Sequence, residues 1–409
     1  LLISNYSQPT SSSKSLRGSE IIFLCFLLGK PFYFFNSGGI QPSDILLIFS
    51  FIAFLYENNW RIPYDKKEKN YSIFLCCIIL INLFYWGLYF ISGNGWSFLL
   101  STVYYLYNTI VILMCRQFFK GKRFIESLLF IVKGGIYLQF AFYGIDFFVP
   151  LSFVDASELR YIGTFNDPNQ LGFFLLTSIF IIIILNRLLG RKENLFVHCL
   201  TLVLLFATSS TGIFLGFAFL YFFMFAISEN KEKIIKQIVI LVLAFFILFC
   251  LHFAGVFQFF DKIQDSFLYE RVLQKFGRGF TINQNQTELS LIQERGIDRI
   301  ILYPEYLLFG AGEGYPQRFA LSGISNLEIH STLFGLLFYY GFLPFIIFVR
   351  WIWINIRKSG NLIFYIFVPL MFESLTLANH RQPYFWMLFL LASFFDDDSR
   401  NFRKWRIVK

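Results

Sequence analysis

The stretch ERGIDRIILYPEYLLFGAGEGYPQRF, residues 294–319, sets Gly310, Gly312 and Gly314 at alternate positions with Arg295, Arg299 and Arg318 around them. Bare backbone N–H groups and guanidinium forks both suit phosphate oxygens, so this combination points to a phosphate or pyrophosphate site. Arg295 and Arg299 are four apart, and a helix there puts both on one face. His330 follows in EIHSTLFGLLFYYGFLPF, with Glu328 two residues before it. An imidazole and a carboxylate beside an arginine cluster are the parts of an acid/base site. A second stretch, RYIGTFNDPNQLGFF, runs from Arg160 to Phe174. Its Asn166-Asp167-Pro168-Asn169 is a helix-start signal, and a helix N-terminus favours an anion, which makes this turn, with Asn169, a further candidate anion site. Each of these features also has a plain structural reading. The glycines are a tight turn, Asp298 neutralises an arginine, His330 caps a span, and the Asn-Asp-Pro-Asn turn caps a helix.

The elements that must position these residues belong to a membrane. The chain has 409 residues, 56% of them hydrophobic, 58 of them Phe, and 15% charged. A soluble domain carries about 25% charged residues. Apolar runs near the spanning length of about 18 residues recur along the whole chain. We expect an all-α polytopic membrane protein, a single integral domain over 1–409, with spans near 20–37, 42–56, 71–91, 98–115, 124–149, 171–186, 194–208, 212–228, 234–256, 331–350, 361–377 and 379–395. TSSTG, with Ser209, Ser210 and Gly212, turns the chain between the seventh and eighth. The polar N-terminal segment has no cleavable signal pattern, so the first apolar run is expected to serve as an anchor. The six cysteines lie in apolar runs without a CxxC motif, which predicts neither disulfide nor metal cluster.

Lys and Arg give the orientation. With the N-terminus in the cytoplasm, the outward gaps 37–41, 92–97 and 209–211 hold none, and the gaps at 150–170 and 378–383 hold one each, Arg160 and Arg381. The inward gaps hold Arg61, Lys66, Lys67 and Lys69, then Arg116, Lys120, Lys122 and Arg123, and so on to the basic tail. This is the positive-inside pattern, and it explains the net charge of +9 without any nucleic acid. Both termini are then cytoplasmic, and 257–329 is a large outer loop with seven basic and nine acidic residues, long enough to be functional. No Lys-Ser/Thr follows Gly314, so the turn is no Walker loop. With no nucleoside triphosphate pool on that side, a lipid-linked phosphate is the expected ligand.

The order RYIGTFNDPNQLG, then RGIDRIILYPEYLLFGAGEGYPQRF in a long outer loop, then EIHSTLFGLLFYYGFLPF, resembles the O-antigen polymerase (Wzy) family, within the O-antigen polymerase and ligase superfamily. The likeness is strongest over 160–175 and 294–345 and rests on motif order and topology. It implies a GT-C-like glycosyltransferase of the bacterial inner membrane, with 257–329 periplasmic. Such an enzyme transfers a growing glycan from undecaprenyl pyrophosphate to the next lipid-linked repeat unit. By position, Arg160, Arg295, Arg299 and Arg318 contact pyrophosphate or glycan, and His330 with Glu328 orients or deprotonates the acceptor hydroxyl. The resemblance implies no cofactor, a metal-independent reaction and a chain-length regulator as a partner. Where many relatives have Ser-Arg, this chain has Ser210-Thr211-Gly212. Two rival readings stand beside it. An O-antigen ligase passes the same donor to lipid A–core. A flippase or other transporter needs polar groups along a path, for which Lys30, Lys133 and Glu373 are the candidates.

Overall fold

The computed structural model describes residues 15–35, 39–146, 160–227, 291–319 and 328–395, with a few isolated positions between them. The described part is almost wholly helical. In chain order it comprises α1 (Gly18–Gly29), α2 (Pro42–Glu57), α3 (Lys69–Tyr89), α4 (Trp96–Phe118), α5 (Lys122–Asp146), α6 (Pro168–Leu189), α7 (Leu195–Thr208) and α8 (Thr211–Ile227). Three short helices follow, α9 (Leu291–Glu294), α10 (Asp298–Leu302) and α11 (Tyr306–Phe309). The chain ends with α12 (Thr332–Tyr340), α13 (Phe342–Ile356), a π-helical turn at Ile363–Phe367, α14 (Val368–Ser374) and α15 (Pro383–Ala392). One two-residue hairpin, Val154–Asp155 (β1) with Arg160–Tyr161 (β2), pairs Asp155 with Arg160.

Among the described residues four helices are long and apolar enough to cross a membrane: Lys66–Tyr89, Trp96–Phe118, Lys122–Asp146 and Pro168–Leu189. Helix α6 is the central one. Its apolar stretch is 94% buried, against 22% for α3, whose exposed face carries Leu80, Leu83, Phe84 and Leu88. A long apolar face left open on one helix and a fully covered helix at the centre are what a bundle in lipid requires. Asp167 starts α6, its Oδ1 accepting the N–H groups of Asn169 (2.7 Å) and Gln170 (3.2 Å), with Pro168 in the first turn. That arrangement satisfies donors which a helix start leaves open.

Three apolar segments depart from the sequence expectation. The first, 20–37, is helical only to Gly29. The stretch 331–350 is broken at Gly341, with φ of 77°, into α12 and α13. The stretch 361–377 opens with the π turn and ends as helix at Ser374. Apolar composition measures length alone, and it cannot see a backbone turn that another segment stabilises from outside. The span expected at 234–256 lies mostly outside the described residues. The turn at TSSTG is present, with Ser209 left-handed (φ 49°) between α7 and α8.

Two groups of polar contacts stand out, with others such as Asn82–Thr102 and Tyr71–Thr109 inside the bundle. At one end Arg116 donates to Glu68, Asn355 and Ser393, and Trp351 Nε1 donates to Glu68 (2.8 Å). Between the ends lie aromatic contacts such as Phe74–Phe348, Tyr71–Trp386 and Trp351–Trp386. At the other end are Tyr33, Thr164, Arg160, Thr208, Arg295 and Arg381, and this end holds the candidate site.

Candidate functional site

The glycine turn is built against the break at Gly341, in the apolar stretch that follows it in the chain. Ending α12 at Tyr340 frees backbone carbonyls. The N–H of Ala311 donates to Phe338 O (3.0 Å) and that of Gly312 to Tyr339 O (2.7 Å). Irregular backbone within a bundle is stable only where such partners exist. The approach is close enough to need glycine. A Cβ on Gly310 would stand 2.7 Å from Tyr339 O, and one on Gly312 2.6 Å from the Tyr85 ring, both at positive φ. A Cβ on Gly314 would stand 2.8 Å from Phe98 N. Three further donors are committed too: Gly310 N to Tyr306 O (2.8 Å), Glu313 N to Asn82 Oδ1 (3.0 Å) and Tyr315 N to Ser97 Oγ (2.9 Å). Of the turn's N–H groups, those of Gly310, Ala311, Gly312, Glu313 and Tyr315 are therefore directed into the protein. Arg318 lies beneath the turn. It donates to the carbonyls of Ala311 and Gly312 and stands over Phe319 (4.5 Å), Tyr85 (4.8 Å) and Phe98 (5.1 Å). Here a guanidinium holds a loop by cation–π contact and carbonyl acceptors.

The turn delivers Glu313 into the bundle, and sequence reasoning passed over this residue. Its side chain is 3% exposed. Oε2 accepts the hydroxyls of Tyr105 (2.9 Å) and Tyr340 (2.8 Å). Oε1 accepts Arg381 Nε (3.1 Å) and Nη2 (2.6 Å), with His380 Nε2 at 3.3 Å. Burial alone would push this carboxyl up. Arg381, then His380, outweigh it and hold Glu313 well below the usual carboxylate range. Arg381 reaches on with Nη1 to Glu328 Oε2 (2.9 Å) and stands over the Tyr104 ring (5.3 Å).

Beside this cluster lies the second set of expected residues. Arg160 donates Nε to Thr208 O (2.7 Å) and Nη2 to Asn169 Oδ1 (3.1 Å), and Ser210 Oγ donates to the same Oδ1 (2.8 Å). Arg295 donates Nη1 to Thr376 O (2.9 Å). Gly212 sits against Thr376, where a Cβ would come 2.8 Å from Oγ1. These contacts run continuously from Arg160 to Arg295. His330 joins through its backbone N–H, which donates to Arg295 O (2.9 Å). Burial first, then the Arg295 charge, hold its imidazole below the ordinary histidine value, with Glu328 and Asp167 acting in the other direction. The shift favours the neutral ring, the form able to accept a proton. Arg299 is buried on the loop side, over Phe319 at 5.7 Å.

The segment 328–332 is fixed from below. Ser331 Oγ donates to Ser374 O (3.1 Å) and caps α12 at Phe334 N (3.2 Å). Thr332 N donates to Leu377 O (2.9 Å), and Asn379 N donates to Thr332 Oγ1 (2.7 Å). The structure thus brings Arg160, Asn169, Arg295, Glu328 and His330 to one end of the bundle. It sets Gly310, Gly312, Gly314 and Arg318 in the packing of the turn beside them. Among the described residues no group of three His, Cys, Asp or Glu side chains is placed to hold a metal ion. Arg381 carried a signal that the sequence reading recorded and left unused: with Arg160 it is the exception to the Lys/Arg asymmetry of the outward gaps. An arginine that breaks such a pattern needs a local reason, and the Glu313 and Glu328 carboxylates that Arg381 meets supply one. Comparison with protein-family models, with curated proteins and with solved structures gives no match.

Proposed function

We propose that this chain is a multi-pass inner-membrane glycosyltransferase of the O-antigen polymerase type. It would extend a glycan carried on undecaprenyl pyrophosphate by transfer to a lipid-linked repeat unit at the periplasmic face. The observation that supports this reading most is the meeting, at one end of an apolar bundle, of guanidiniums suited to pyrophosphate and the imidazole of His330. In the proposed step the acceptor hydroxyl gives its proton to His330. Its oxygen forms the new bond to the anomeric carbon as the bond to pyrophosphate breaks. The leaving group's charge is taken by Arg160 and Arg295, which act electrostatically. Glu328 lies near enough for its charge to favour the imidazolium that results. The Gly310–Gly314 turn and Arg318 shape the wall of the site. The reading carries with it twelve spans, cytoplasmic termini and a periplasmic 257–329.

Reconstitution of the full chain with purified lipid-linked repeat unit tests the reading. Chain growth is expected. Transfer only to lipid A–core would make it a ligase, and movement of lipid without transfer a transporter. A reporter fused at Gln284 is expected to read as exported, and a cytoplasmic readout would overturn the topology.

A further inference from the structure

We propose that Arg381 is an anion-binding residue of this site, and that Glu328 is an internal anion holding its place until a lipid-linked pyrophosphate displaces it. The inference rests on the polymerase reading for the identity of the anion and on the geometry for the rest. The two carboxylates on Arg381 differ in kind. Glu313 is 3% exposed, and its oxygens have donors from two tyrosines, from Nε and Nη2 of Arg381, and His380 beside them. No solute can replace it. Glu328 is 48% exposed and meets the guanidinium through one bond, Nη1 at 2.9 Å. An exposed, single-contact ion pair contributes little, whereas a phosphate can take a guanidinium edge with two oxygens.

The Glu328 contact is also unnecessary for holding the loops together. Ser331 on Ser374, Thr332 on Leu377 and Asn379 on Thr332 already join 328–332 to 374–381. Arg381 is oriented without it, by Glu313 on one edge and the Tyr104 ring at 5.3 Å. What remains for Glu328 is a charge in the place an anionic ligand would take. Its displacement would leave a carboxylate facing His330, whose imidazole already feels it. Donor binding would thereby prepare the base for the proton it must receive.

The test uses the full chain in nanodiscs at low ionic strength, titrated with inorganic pyrophosphate and with farnesyl pyrophosphate. Glu328→Gln removes the competing charge and leaves the buried pair intact. Pyrophosphate binding is expected to tighten about fivefold to tenfold, because a like charge is removed and only a weak pair is lost. Unchanged or weaker binding would overturn the proposal. Arg381→Lys keeps a cation for Glu313 and loses the fork, and is expected to weaken binding. If that variant fails to fold, the pair Glu313→Gln with Arg381→Gln removes both buried charges, and in that background Glu328→Gln is expected to have no effect. Tightening there would assign the effect to another cation and sink the proposal. Farnesyl pyrophosphate is expected to bind more tightly than the free ion, and equal binding would remove the lipid from the assignment. Tightening without chain growth in the reconstituted assay would remove the polymerase and keep the anion site. Chain growth without tightening would do the reverse.

Discussion

Glu313 and His330 stand at the same end of the bundle, and their surroundings differ in one physical respect. Around Glu313 every acceptor is met: two tyrosine hydroxyls on one oxygen, and Arg381 with His380 beside the other. Around His330 and Arg295 the fixed bonds run through the backbone, His330 N to Arg295 O and Arg295 Nη1 to Thr376 O. Among the described residues no carboxylate forms an ion pair with Arg295. A buried charge must be compensated within the protein. A charge meant for a ligand must be held in place without being neutralised. The first arrangement gives stability, and the second leaves chemistry open.

The comparison can be broken in four ways. The largest effect is expected from Glu313→Gln, which keeps the shape and strands Arg381 and His380. Removing one partner of a buried pair costs about 3–5 kcal/mol, and because Arg381 is 27% exposed the lower end applies. Thermal unfolding in detergent measures it. The pH dependence follows in sign. The folded-state pKa of Glu313 lies below its unfolded value of about 4.3. Its stabilisation is therefore complete above that unfolded value and lost as pH falls through the folded one. The glutamine variant should lose that acid dependence, and an unchanged acid unfolding curve would count against the ion pair. Next in size is His330→Ala, expected to slow chain growth about a hundredfold or more at matched membrane abundance while leaving thermal unfolding nearly unaltered. Normal polymer from this variant would make His330 a capping residue. Third, Arg295→Lys is expected to cost about tenfold in rate, since lysine keeps charge and loses the planar fork. A larger loss in stability than in rate would move Arg295 to the structural side. The smallest effect is a profile. Because burial and Arg295 lower the His330 pKa, the rate should stay flat through neutral pH. It should fall only below the usual imidazole value of about 6.5, a fall absent in His330→Ala.

How legible this was depended on whether a residue's partners were near in sequence. The start of α6 at Asp167-Pro168, the turn at Ser209 and the long apolar helices follow from local signals, and the structure has them. Glu313 was hidden inside AGEG, where glycine spacing drew the reading to backbone N–H groups. Its partners Tyr105 and Arg381 are 208 and 68 residues away, and no local pattern reports them. The break at Gly341 escaped notice for the same reason. It is stabilised by Ala311 and Gly312, whose N–H groups take the freed carbonyls. A Cβ at Gly341 would stand 2.7 Å from Leu308 O.

The separation between Glu313 and Arg381 also orders events during synthesis. The ribosome makes the carboxylate 68 residues before the guanidinium that neutralises it. At roughly 5–20 residues per second the interval is several seconds. Until then the glycine turn can dock on α3, α4 and α12 only by burying an uncompensated charge or by protonating Glu313. Seating of the turn around an ionised Glu313 is therefore expected to follow synthesis of Arg381. A chain cut short before Arg381 would keep nearly all of its apolar helices and still be unable to seat this loop around an ionised Glu313.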